Sequence, residues 1–143
     1  MINQRGTAVW NGDMKGHGTI KTQSGVIDAT YSVGSRFEGQ KGTNPEELIG
    51  GAHAGCYAMF LTSVLTQHGH TVDTIQATST VTLDPAQSPP VITKIHLQVE
   101  GHVSGGNITA EDFQQHAEFA KANCPVSKAL SAVSDMTLEA KLV

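Results

Sequence analysis

NPEELIGGAHAGCYAMFLTSVLTQHG, residues 44–69, is the longest stretch of the chain with neither a proline nor a turn cluster in its interior. It predicts one long helix. Asn44 is placed to cap it, and Pro45 sits at the first helical position, where its missing N–H is no loss. Glu46 and Glu47 follow in the first turn, where negative charge suits the helix dipole, and Gly69 ends it. Leu48, Ala52, Met59, Leu61 and Leu65 supply apolar surface. Gly50, Gly51, Ala52, Ala54 and Gly55 make the first half slim. Each glycine costs about 1 kcal/mol against alanine, so close approach of another backbone is the expected compensation. Cys56 lies in the middle, with His53 one turn before it and Met59 and Phe60 one turn after.

Working outward, the 143 residues fit one domain spanning 1–143. The apolar fraction of 38% is low for a self-sufficient core. A net charge of −4 and the lack of any basic run argue against a nucleic-acid partner. No apolar window approaches membrane-spanning length, so no membrane association is expected. MINQRGTAVW has no apolar core of a signal peptide, and a cytoplasmic location is expected. In that setting two cysteines point to chemistry or inert burial more than to a structural crosslink.

Upstream of the helix, residues 5–12 and 16–24 read as strands joined by a hairpin at Asn11-Gly12-Asp13, and 26–31 as a third strand. Such a meander has too few large side chains to stand alone. Residues 32–43, SVGSRFEGQKGT, read as a solvated loop carrying Arg36 beside Phe37. Downstream, 74–83 and 91–100 alternate as strands, separated by a segment with three prolines. Residues 101–107 read as a loop. Thr109 is placed to cap a helix at 110–122, with Asp112 completing an approximate capping box and Phe113, Ala117 and Ala120 on its apolar side. Pro125 starts a short helix, PVSKAL, and 134–141 form a last strand. The order β-β-β-α-β-β-α-α-β is α+β, with antiparallel strands and two main helices.

The two cysteines have a plain reading as small buried hydrophobes in a binding or structural module without catalysis. Against it, Cys56 has room around it, and Cys124 precedes Pro125 at a helix N-terminus, where free N–H groups favour a thiolate. If the fold brings them together, they form a reactive cysteine and a resolving partner. Seven histidines raise the question of metal, and His68 and His70 form an HxH pair, but HExxH and CxxC are both lacking. A cysteine hydrolase with His53 or His116 as base fits poorly, because its nucleophile belongs at an element junction and Cys56 is mid-helix. Phosphate-cradling glycine loops do not occur.

SRFEGQKGTNPEELIGGAHAGCYAMFL, residues 35–61, and NCPVSKAL, residues 123–130, closely resemble the two cysteine motifs of the OsmC (osmotically inducible protein C) family of thiol-dependent hydroperoxidases. GTAVWNGDMKGHGTI, VITKIHLQV and TLEAKL are similar as well, so the likeness spans the chain. The arginine in RFEG places it nearer the OsmC branch than the organic hydroperoxide resistance branch. Small departures are Gly51 and Gly55, where alanine is commoner, and Tyr57 for phenylalanine. The resemblance implies Cys56 as peroxidatic cysteine, Cys124 as resolving cysteine, Arg36 as catalytic arginine and Glu46 as its carboxylate partner, with Glu47 as local rival. It implies reduction of organic hydroperoxides, and of hydrogen peroxide more weakly, through an intramolecular disulfide, with no metal, haem or flavin. An external dithiol, in this family a lipoyl-bearing protein, would restore the thiols. Met59, Phe60 and Phe37 are the expected apolar surroundings. The implied fold is an OsmC/Ohr-like α+β fold, antiparallel sheets wrapped around two central helices in an intertwined homodimer. The thin core and orphan meander argue for a second copy independently. Glu46 and Cys56 lie ten residues apart, about 15 Å along a regular helix. An arginine touching both therefore calls for a bent first turn or a helix starting after Pro45.

Overall fold

The computed structural model describes all residues, 1–143, which divide into two compact units, Met1–Leu48 and Ile49–Val143. The first unit holds a three-stranded antiparallel meander, β1 (Gly6–Asn11), β2 (His17–Thr22) and β3 (Asp28–Tyr31), in that spatial order. Tilted packing of Trp10 on Tyr31, ring centroids 5.3 Å apart, ties β1 to β3 across the small side chains of β2. Gly18 is required there, because a Cβ would overlap both the Tyr31 ring and the Val9 carbonyl. As expected for a sheet this thin, β1 is exposed along nearly its whole length.

Residues 32–43 differ from the expected loop. They contain a short helix, α1 (Val33–Phe37), started by a reciprocal capping box. The Ser35 N–H donates to Ser32 Oγ and the Ser32 N–H donates to Ser35 Oγ, at 3.0 and 2.8 Å. Ser35 Oγ also donates to the Thr43 carbonyl at 2.8 Å, closing the segment on itself. The Ser-x-x-Ser spacing carries this signal, and the glycines around it mask it.

α2 (Pro45–Gln67) begins at Pro45, so a late start is not the solution the chain adopts. Asn44 caps it as expected, its Oδ1 accepting the Glu47 N–H at 2.8 Å. By length and composition alone α2 also meets the criterion for a membrane span, contrary to the sequence expectation. Its buried row recurs every three or four residues, at Gly50, His53, Tyr57, Leu61, Val64 and Leu65, which is the pattern of a core helix. Met59, expected to supply apolar surface, lies off that row and is 73% exposed.

In the second unit β4 (Thr71–Asp84), β5 (Val91–Gly105) and β6 (Asp135–Leu142) form one sheet in that order. β4 and β5 pair antiparallel and run further than expected, through residues 101–105. β5 and β6 pair parallel, which corrects the expectation of purely antiparallel sheets. The reason is the connection: α3 (Ala110–Asn123) and α4 (Pro125–Ala129) carry the chain back along the sheet before β6 begins. α3 starts with the predicted box, Thr109 Oγ1 accepting the Asp112 N–H at 3.1 Å. Ile95, Leu97 and Val99 of β5 alternate inward. Leu97 and Val99 meet Tyr57, Leu61 and Leu65 of α2 and Phe113, Ala117 and Ala120 of α3, and Cys124 belongs to this cluster. The result is an α+β fold of two sheets with central helices.

Candidate active site

The chemistry-bearing residues fall into two groups, one in each unit. In the first unit Arg36 occupies the last turn of α1 and Glu46 the first turn of α2. Arg36 Nε donates to both Glu46 carboxylate oxygens at 3.2 and 3.1 Å, and Nη2 donates to Oε1 at 2.5 Å. This forked pair fixes the guanidinium plane as a lysine could not. The Glu46 hydrogen bond raises the Arg36 pKa further and burial offsets part of that, so the charge is permanent. Glu47, the rival, is engaged elsewhere, accepting from Thr43 Oγ1 at 2.5 Å. Arg36 also lies over the Phe37 ring, 5.2 Å from its centroid. Both line a cleft of about 240 Å³ with Trp10, Tyr31 and Pro45. Phe37 is 43% exposed, at the rim of this space and not in a core.

In the second unit the sequence-distant cysteines meet. Cys124 is fully buried at the junction of α3 and α4, and Cys56 on α2 is partly exposed. Cys124 Sγ donates to Cys56 Sγ across 3.2 Å. Both are free thiols, since a disulfide would hold the sulfurs at about 2.05 Å. The Cys124 carbonyl starts α4 by accepting the Lys128 N–H at 3.0 Å. Burial pushes the Cys56 thiol up, the Val126 N–H pulls it down, and the neighbouring Cys124 pushes it up again. The net shift is upward, so a thiolate at Cys56 needs a cation beside it.

Sequence reasoning underrated two residues, His53 and Tyr57. His53 is fully buried, its Nδ1 2.8 Å from Ser79 Oγ on β4 and its Nε2 2.8 Å from Ser127 Oγ on α4. Burial lowers its pKa, so it is a neutral hydrogen-bonding group and not a proton carrier at neutral pH. Tyr57 O–H donates to the Ala117 carbonyl at 2.9 Å, joining α2 to α3 beside Cys124. The only sequence signal for these was the helical spacing of His53, Cys56 and Tyr57. His68, His70 and His116 gather at the far end of α2, ring centroids 4.5 and 5.9 Å from His116, without forming a metal-binding group.

The model of the family described as OsmC-like protein matches residues 38–139. The chain belongs to the OsmC family. Peroxiredoxin OsmC of Escherichia coli strain K12 is 46% identical over 143 residues, covering 99% of this chain and 97% of that protein. Among solved structures, the organic hydroperoxide resistance protein OhrB of Bacillus subtilis superposes with a TM-score of 0.70 at 26% identity, covering 96% of this chain and 98% of that one. An OsmC-like protein from Mycoplasma pneumoniae gives 0.76 at 18% identity, over 99% and 98%, a likeness of fold alone. With OsmC membership goes cysteine-based, peroxiredoxin-like enzymatic activity. The match that defines the family begins two residues after Arg36 and takes in Glu46 and both cysteines.

Proposed function

We propose that this OsmC protein reduces organic hydroperoxides to alcohols, with Cys56 as the attacking sulfur and Cys124 as its resolving partner. The observation that carries the reading is the 3.2 Å approach of a buried and a partly exposed thiol from helices far apart in the chain. The Cys56 thiolate attacks the distal peroxide oxygen. An S–O bond forms, the O–O bond breaks, and the alkoxide leaves and takes a proton to become the alcohol. Cys124 then attacks the Cys56 sulfenic acid. An S–S bond forms, the S–O bond breaks, and hydroxide leaves with the Cys124 proton as water. An external dithiol, with a lipoyl-bearing protein as the favoured class, returns two electrons and two protons. Arg36, oriented by Glu46, supplies the positive charge that the attacking thiolate needs and that stabilises the departing oxygen.

The apolar cleft beside Arg36 favours substrates with an alkyl or aryl group over hydrogen peroxide. A homodimer is the working assembly, with residues 1–143 acting as one functional module. Its support is the exposure of β1 together with exposed Val9, Met59 and Phe119. A cytoplasmic setting keeps such thiols reduced between turnovers. Intact-mass measurement after one equivalent of cumene hydroperoxide should show the wild type losing two hydrogens. Cys124→Ser should hold an added oxygen on Cys56 instead. No change at Cys56 in either protein would sink the reading.

A further inference from the structure

His53 and Cys56 are three residues apart on α2, and Cys124 and Ser127 are three apart at the start of α4. The two helices therefore face each other through two rungs, the Cys56–Cys124 contact at 3.2 Å and the His53 Nε2–Ser127 Oγ bond at 2.8 Å. α4 has only five residues and no side-chain cap on its N-terminus. Besides the packing of Val126 on the core, its buried anchor is Ser127, 4% exposed and bonded to His53. The other ring nitrogen of His53 is held by Ser79, so the ring cannot turn without leaving a buried polar atom unpaired.

We propose that His53 is a positioning residue for disulfide closure: by gripping Ser127 it holds the α4 turn so that Cys124 stays within attacking distance of Cys56. The proposal rests on the assignment of Cys56 and Cys124 as attacking and resolving sulfurs. Closure forms the S–S bond, breaks the S–O bond of the sulfenic acid and releases water. It requires two atoms held near 3–3.5 Å, a geometry that a loose α4 does not keep. The Ser79 bond alone would serve a merely structural histidine, because it already ties α2 to β4.

The two ring nitrogens can be tested separately. His53→Gln places an amide nitrogen near the position of Nε2 and keeps the reach to Ser127. His53→Asn places its amide near Nδ1 and keeps only the reach to Ser79. Ser127→Ala removes the grip from the other side. Each protein is mixed with one equivalent of cumene hydroperoxide and quenched over time, with dimedone trapping sulfenic acid at Cys56 and intact mass reporting the disulfide. His53→Gln should close within about threefold of wild type, whereas His53→Asn and Ser127→Ala should close at least about tenfold more slowly, since misplacement by about 1 Å can cost a hundredfold. In the slow variants the Cys56 dimedone adduct accumulates, and the first step slows less than closure. Should His53→Asn fail to fold, Ser127→Ala decides alone. Closure at the wild-type rate in Ser127→Ala, or equal slowing in the Gln and Asn variants, overturns the proposal. A wild type that forms neither sulfenic acid nor disulfide overturns the functional assignment beneath it instead.

Discussion

Gly50 and Gly51 are neighbours on α2 with opposite surroundings, and alanine at each should move stability in opposite directions. A Cβ on Gly50 would lie 2.6 Å from the Ser79 carbonyl oxygen, where ordinary contact begins at 3.4 Å. The obstacle is β4 backbone, so helix and strand must part by roughly 0.8 Å, and overpacking of this kind costs about 1–3 kcal/mol. Helix propensity returns about 1 kcal/mol, leaving a net loss of up to about 2 kcal/mol. A Cβ on Gly51 meets nothing within 4 Å, so Gly51→Ala keeps the full gain of about 1 kcal/mol. Gly55 is equally open, so of the three helix glycines only Gly50 meets a neighbouring backbone within one chain. Urea unfolding of the reduced proteins, followed by circular dichroism at one fixed concentration, measures the contrast. With a slope of about 1–3 kcal/mol/M, the two midpoints should separate by roughly 0.5–2 M, Gly51→Ala above wild type and Gly50→Ala below. A Gly50→Ala midpoint at or above that of Gly51→Ala would refute the close approach to β4. A Gly51→Ala midpoint that falls, and recovers with dilution, would place a second copy against that face.

Arg36→Met should leave the fold intact, raise the Cys56 pKa and cut peroxide turnover by about a hundredfold or more; alkylation of Cys56 across pH and steady-state kinetics check both. Tyr57→Phe should cost about 0.5–1.5 kcal/mol, since the Ala117 carbonyl loses its donor from Tyr57; a urea midpoint equal to wild type would deny that bond a role. Phe113→Ala empties the fully buried ring space over Gly101 and should cost about 3–5 kcal/mol in the same assay. Acid should destabilise the fold. Burial lowers the pKa of both His53 and His116, and the charges of His68 and His70 lower His116 further despite Asp112. The unfolded chain therefore takes up protons first, so stability is fully present above the ordinary value of 6.5 and is lost as pH falls through the folded values. Melting midpoints between about pH 7.5 and about pH 5.5 should fall, with a shallower slope in a His116→Gln variant.

Most of the fold was legible because local rules and tertiary needs agree. β5 alternates strictly, and its apolar residues Ile95, Leu97 and Val99 are the ones that go inside. Asn44, Pro45 and Thr109 announce helices by capping chemistry that does not depend on the rest of the chain. What was not legible depends on partners remote in sequence. The parallel pairing of β6 follows from the direction in which α3 and α4 return the chain, and no pattern within SDMTLEAK encodes it. α1 was hidden because Ser32 and Ser35 resemble turn formers until their side chains are seen to cap each other. Arg36, Glu46, Cys56 and Cys124 could be singled out through their motifs, whereas Ser79 and Ser127 carry no motif and matter only as the two hydroxyls that His53 reaches.

In the proposed reaction, the order of events at the sulfur pair follows from burial and contact. At 3.2 Å two thiolates would repel strongly. Cys124 is fully buried and donates its proton toward Cys56, whereas Cys56 is partly exposed. A peroxide therefore reaches Cys56 first. Once Cys56 carries oxygen, its negative charge is gone. The Cys124 proton can then leave with the hydroxide as water. The same contact that suppresses a second thiolate before peroxide arrives holds the second sulfur in place to attack afterwards.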